Sequence, residues 1–166
     1  MASKWKRISD MINTRLATIS VANGYNTEIG SKVTNWKLDD WTSGQLPGVA
    51  YRLYDQRTEE TEKFDPLQAA AYGEKHDLSL EVIVGTEKAT STTSTAIEAE
   101  IMQMVEDVEK AFRAEQIDGG RCWQGLADWT VIESIEMNME KKEKIVGEAR
   151  IIFKIRIRTK YLNAVN

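Results

Sequence analysis

Apolar residues near the start of the chain, Trp5, Ile8, Met11, Ile12, Leu16 and Ile19, recur at intervals of three and four. That spacing gathers them along one stripe of an amphipathic helix, which Ser3 is placed to cap. The stretch ANGYNTEIG follows, with Gly24 and Gly30 suited to ending a helix and to positive φ. A short strand is expected next, over about 29–36. Past the breaker-rich KLDDWTSGQLPG, Val49, Tyr51 and Leu53 alternate with Arg52 and Tyr54, which predicts a second strand over about 49–56.

Residues 57–75 are hydrophilic and lack a clear period. One long loop is expected there, and loops of that length in a compact domain tend to carry function. Strand alternation resumes through Leu78, Leu80, Val82 and Val84. The clearest helix lies in TSTAIEAEIMQMVEDVEKAF, where Ile97, Ile101, Met104, Val105, Val108 and Phe112 trace one face. Thr95 with Glu98 has the capping-box spacing, and Glu106 with Lys110 and Glu109 with Arg113 are i,i+4 pairs. Gly119 and Gly120 stand just beyond its end.

Two long alternating segments follow. In the first, Trp129, Val131, Ile135, Met137 and Met139 share an apolar register broken only by Glu133. In the second, ARIIFKIRIRTKY, Ile151, Phe153, Ile155, Ile157 and Tyr161 alternate with Arg150, Lys154, Arg156, Arg158 and Lys160. The polar KKEK between them turns the chain. The order helix, strands, helix, hairpin, without an internal repeat, predicts a single α+β domain over residues 1–166. Two helices would pack on one face of a largely antiparallel or mixed sheet of about four or five strands.

A turn at 141–144 puts the even-numbered side chains of both hairpin strands on one face. Glu136 and Glu140 are then expected beside Arg150, leaving Thr130 and Ile132 opposite the rest of the cationic row. That row reads as a solvated face that discourages edge pairing, or as a contact surface for another protein or an adjacent copy. Sequence-specific DNA binding lacks the basic recognition helix, zinc pattern or aromatic-and-basic signature that would accompany it.

Composition narrows the function further. The net charge of -4 disfavours a general polyanion binder, whose affinity scales with the phosphates it neutralises. No apolar run approaches the roughly 20 residues of a bilayer span, and MASKWKRISDM lacks the apolar centre and cleavage site of a signal peptide. Together with the lone Cys122, this leads one to expect a reducing cytosol and no membrane. The only histidine, His76, sits in a polar run, and Cys122 follows a helix end, which favours a surface imidazole and a buried thiol over a catalytic pair. Gly24 and Gly30 lack the Lys-Ser/Thr that completes a phosphate loop. Asp39 with Asp40, and Glu59 with Glu60, point apart on an extended chain. Met11, Met104, Met137 and Met139 fall on expected core faces. The residues point away from an enzyme, a cofactor and a metal site.

Four stretches, in order, carry a family resemblance: RLATISVANGYNTEIG; LPGVAYRLYDQRTEE; LSLEVIVGTEKATSTTSTAIEAEIMQMVEDVEKAF; and GLADWTVIESIEM leading to ARIIFKIRIRTKY. They span nearly the whole chain and resemble tail terminator proteins of long-tailed bacteriophages, the minor tail protein U type. The resemblance implies a compact α+β subunit of a homohexameric ring. Such a ring sits at the head-proximal end of the tail tube, stops tube polymerisation and meets the head-completion or neck protein. It also implies a place in the tail or neck of the virion after assembly in the host cytoplasm, with DNA only passing through the lumen, and no catalytic residues. Neighbouring readings are another ring-forming virion part, a head-completion or tail tube protein, and a small nucleic-acid-binding module.

Within that reading the contact residues expected are Arg57, Glu59, Glu60, Glu62, Lys63 and Phe64 in the long loop, and Lys154, Arg156 and Arg158 in the last strand. A closed ring needs two unlike flanks that satisfy one another, leaving two different open faces. Replacing residues 58–64 by a short Gly/Ser turn is expected to abolish ring formation or tube capping. Unchanged assembly, judged by light scattering, would remove the loop from the contact.

Overall fold

A computed structural model describes residues 4–35, 41–42, 44–55, 74–114 and 122–159, with the backbone alone at 4, 55, 74–76 and 158–159. The elements are α1 (Lys4–Ala17), β1 (Val33–Asn35), β2 (Gly48–Asp55), β3 (Glu74–Lys88), α2 (Ser94–Arg113), β4 (Ala127–Lys141) and β5 (Ile145–Thr159). Short 3-10 turns at Val21–Asn23 and Ile29–Lys32 lie between α1 and β1. The strands form one mixed sheet of order β1-β2-β3-β5-β4. Only the β1–β2 pair is parallel, so the expected α+β fold is present.

β3 begins at Glu74, ahead of the Leu78 where alternation becomes visible. His76 therefore lies inside the strand, opposite Ile157, and residues 74–75 of the expected loop are strand as well. The acid pairs Asp39, Asp40 and Glu59, Glu60 lie outside the described residues.

The apolar stripes meet as their spacing requires. Ile8, Ile12 and Leu16 of α1 and Ile97, Ile101, Met104, Val108 and Phe112 of α2 are buried on one face of the sheet. The sheet answers with Val49 and Tyr51 from β2, Leu78, Leu80, Val82 and Val84 from β3, and Ala149, Ile151, Phe153 and Ile155 from β5. Each large apolar side chain so buried contributes about 1.5–3 kcal/mol relative to exposure. At Gly147 the sheet comes so close to α2 that a Cβ would stand 2.6 Å from side-chain carbons of Ile97 and Ile101.

The ends of α2 depart from expectation in a way local chemistry explains. Thr93, in extended backbone, caps the helix by accepting a hydrogen bond from the Ala96 N–H at 3.3 Å. The helix thus starts before Thr95, so Thr95 and Glu98 form no capping box. Lys110 does not use Glu106: it donates to the Gly24 carbonyl at 2.6 Å and sits over the Tyr25 ring. Glu109 and Arg113 do pair, at 3.2 Å.

Past the C-terminal end of α2, Cys122 is buried as expected and forms an antiparallel bridge with Ala127. The loop between them tucks Trp123 into the core, edge-on to Phe112, with its Nε1–H donating to Thr130 Oγ1 at 2.8 Å. Trp123 has φ of 54°, strained for a bulky side chain, and full burial offsets that cost.

Two contacts fasten the chain after α1. The buried carboxylate of Asp107 on α2 accepts four hydrogen bonds, from the N–H groups of Asn26 and Thr27 and from both their side chains. Gly30 donates to the Ile19 carbonyl at 3.0 Å. A Cβ on Gly30 would stand 2.5 Å from that oxygen and 2.6 Å from the Leu16 carbonyl. Close approach, not a left-handed backbone, therefore dictates glycine at 30, whereas Gly24 has φ of 81°. The substitution Gly30→Ala is expected to destabilise by about 1–3 kcal/mol, read from the urea midpoint, because the obstacle is backbone. A midpoint unchanged from wild type would contradict that packing.

Candidate assembly surface

The chemistry of the surface begins with the β4–β5 hairpin. Its register pairs Glu136 with Arg150 and Met137 with Ala149. Between Ile132 and Ser134 the pairing slips by one residue, making Glu133 the extra residue of a β-bulge. The slip explains why a glutamate interrupts an apolar register. Glu133 leaves that register, and its carboxylate approaches Lys154 Nζ to 4.0 Å.

The bulge also exchanges the faces of residues 129–132, and a second register shift between Ala127 and Trp129 returns Ala127 to the core side. Trp129 and Val131, expected on the apolar side, stand opposite Arg156 and Lys154 on the charged side. Arg156 lies over the Trp129 ring at 4.7 Å. Ile132, expected opposite the cations, pairs with Phe153 and joins Ile135, Met137 and Met139 on the side facing the helices.

That apolar row is not covered among the described residues. α2 packs on β3 and β5, and α1 on β1 and β2, so neither helix reaches across β4. Exposure along the row runs from 37% at Met139 to 45% at Met137, which corrects the expectation that these methionines are core. Met104 is buried and Met11 packs against the core, as expected. Asp107 turns toward the segment after α1, and at about 100° per residue Met102 stands about 140° round α2 from it. Met102 is also exposed. Apart from the Cys122–Ala127 bridge, the outer edge of β4 has no strand partner among the described residues. A 15-residue strand with a bare edge and a bare apolar face is the kind of surface that associates.

The other sheet face is charged and internally paired. Arg156 donates Nε–H and Nη2–H to the two carboxylate oxygens of Asp77 at 2.8 and 2.9 Å, and Lys154 reaches Asp77 at 3.2 Å. Arg150 pairs with Glu81 at 2.9 Å, and Arg52 approaches the same carboxylate at 3.8 Å. Glu136 does stand opposite Arg150, yet the ion pair forms with β3; Glu140 faces Val146 and pairs with Lys142. β3 is the inner neighbour of β5, and its Asp77 and Glu81 are nearly buried, so the cations turn toward them and away from the solvated edge strand.

These pairs decide the standing of the expected contact residues. Lys154 and Arg156 converge on Asp77 within the chain and are not spare cations awaiting a partner. Arg158 continues β5 opposite Lys75, its side chain outside the described set. Arg57, Glu59, Glu60, Glu62, Lys63 and Phe64 all lie outside the described residues.

An open cleft of about 560 Å³ lies where residues 26–29 meet α2, with Glu28 and Glu100 among its lining. Both acids are engaged: Glu100 with Lys88 at 2.7 Å and Thr86 at 2.8 Å, Glu28 with the Val21 N–H at 2.9 Å. Among the described residues no helix is long and apolar enough to cross a membrane.

Asp77 is held below the ordinary aspartate pKa, first by the Arg156 hydrogen bond and then by Lys154, against the opposing effect of burial. A depressed folded pKa stabilises fully above the unfolded value near ~3.9 and is lost as pH falls through the folded one. Asp77→Asn is therefore expected to cost about 1–3 kcal/mol at neutral pH, with the deficit shrinking below about pH 4 in urea melts at several pH values. A pH-independent deficit would contradict the ion pair. The chain matches no protein-family model and no curated protein sequence.

Proposed function

We propose that this chain is a virion structural protein of the tail terminator type. It caps the head-proximal end of a phage tail tube as a hexameric ring, ends tube polymerisation and forms part of the joint with the head. The observation that carries the reading is the apolar row Ile132, Ile135, Met137 and Met139 on an edge strand that nothing among the described residues covers. A subunit that works by association requires such a surface. The resemblance of four ordered stretches to tail terminators supplies the particular assembly. The sheet ends in unlike edges, a three-residue parallel strand at β1 and a 15-residue antiparallel strand at β4. Unlike edges suit a cyclic head-to-tail ring, which leaves two different open faces.

The charge-paired sheet face fits this reading only as internal structure. With Lys154 and Arg156 bound to Asp77, reversing their charge would disturb the sheet itself, so it is a poor probe of subunit contacts.

Light scattering and electron microscopy of the purified protein, alone and with tail tubes, test the proposal. Closed rings with six-fold symmetry and six times the 18.8 kDa chain mass are expected. Long tubes would favour a tube protein instead. Monomers under every condition, with no binding at tube ends, would overturn the proposal.

A further inference from the structure

We infer that Met137 and Met139 form an oxidation-sensitive pair on β4, through which a peroxide turns off self-association; the effect on association rests on the self-assembly part of the reading above. The described methionines fall into two classes. Met102, Met137 and Met139 are 44%, 45% and 37% exposed, whereas Met104 is 1% exposed and Met11 packs against the core. Oxidation of a thioether follows its access to the oxidant, so the first class reacts and Met104 is shielded.

The register explains why the two β4 sulfurs are open. Met137 pairs with Ala149 and Met139 with Gly147, so their cross-strand neighbours offer one methyl group and no side chain at all. Farther along the same row Ile135 stands opposite Ile151 and Ile132 opposite Phe153. At Gly147 the small residue is required, because a Cβ there would meet Ile97 and Ile101 of α2. Close packing of α2 on β5 therefore leaves Met137 and Met139 without a bulky neighbour on the strand they pair with.

The chemistry is an oxygen transfer. The sulfur attacks one oxygen of hydrogen peroxide, and an S–O bond forms as the O–O bond breaks. Sulfur gives up two electrons; the departing hydroxide takes the proton of the transferred oxygen and leaves as water. The sulfoxide that results is polar and chiral, and sulfoxide reductases, one for each epimer, return it to the thioether. On Met137 and Met139 solvent can hydrate the new group, so the fold survives. A contact that works by burying this row would have to bury the sulfoxides as well, which costs free energy unless each finds a hydrogen-bond donor.

The test begins with full-length protein, diluted until monomeric and treated with hydrogen peroxide, with the added oxygen located by peptide mass spectrometry. Met137 and Met139 are expected to be oxidised while Met104 is intact and the thermal melt is unchanged. Equal oxidation of Met104, or unreacted Met137 and Met139, would overturn the pair. Under conditions where untreated wild type forms rings, the oxidised protein is expected to stay monomeric and to regain rings after treatment with the two reductases. The double variant Met137→Leu, Met139→Leu keeps the row apolar, removes its sulfurs and retains Met102, so it is expected to form rings with or without peroxide. Rings from oxidised wild type, or loss of rings from the treated variant, would overturn the effect on association while self-assembly stands. If untreated wild type never forms rings, the self-assembly reading falls and that effect falls with it, whereas the selective oxidation is decided by the mass measurement alone.

Discussion

Helices are about 10 Å across and neighbouring strands about 4.8 Å apart, so one helix covers roughly two strands. Two helices can therefore cover about four strands, and this sheet has five. Length adds to the shortfall: 15-residue strands extend about 50 Å, while the 20 residues of α2 span about 30 Å. Asp107 and Lys110 tie α2 toward α1 and the segment that follows it, which fixes where the deficit falls. It falls on β4, and the exposure of Ile132, Ile135, Met137 and Met139 follows from that geometry.

The opposite face of the sheet solves a different problem. Four cations, Arg150, Lys154, Arg156 and Arg158, alternate along the last strand, and left unpaired they would repel one another. Asp77 takes Lys154 and Arg156, and Glu81 takes Arg150 with Arg52 nearby, so the centre of that face is neutralised by the chain itself. On the proposed reading, association is left to the flank of the sheet, where the apolar row of β4 is exposed. Association through flanks joins subunits side by side, the arrangement a ring requires.

Periodicity made both helices, the core faces of β2 and β3 and the two strands of the hairpin legible in the sequence, because each element keeps most of its apolar residues on one side. It failed where a residue answers to something other than period. Glu133 marked an irregularity, yet its meaning, a bulge that sends Trp129 and Val131 to the charged face, depends on the pairing strand. Alternation in Met137 and Met139 announced a sided strand without telling whether anything would lie on that side. The signal that could have told was the count of helices against strands. The ion partners of β5 were hidden for a related reason: Asp77 and Glu81 are distant in sequence, and strand order alone brings them beside the cations.

Hydrogen exchange across residues 130–140, compared between dilute monomer and assembled protein, tests the claim that β4 is the contact surface. The outward amides of a bare edge strand should exchange quickly in the monomer and become strongly protected on assembly. Equal exchange in both states, with protection appearing elsewhere on the molecule, would contradict the account.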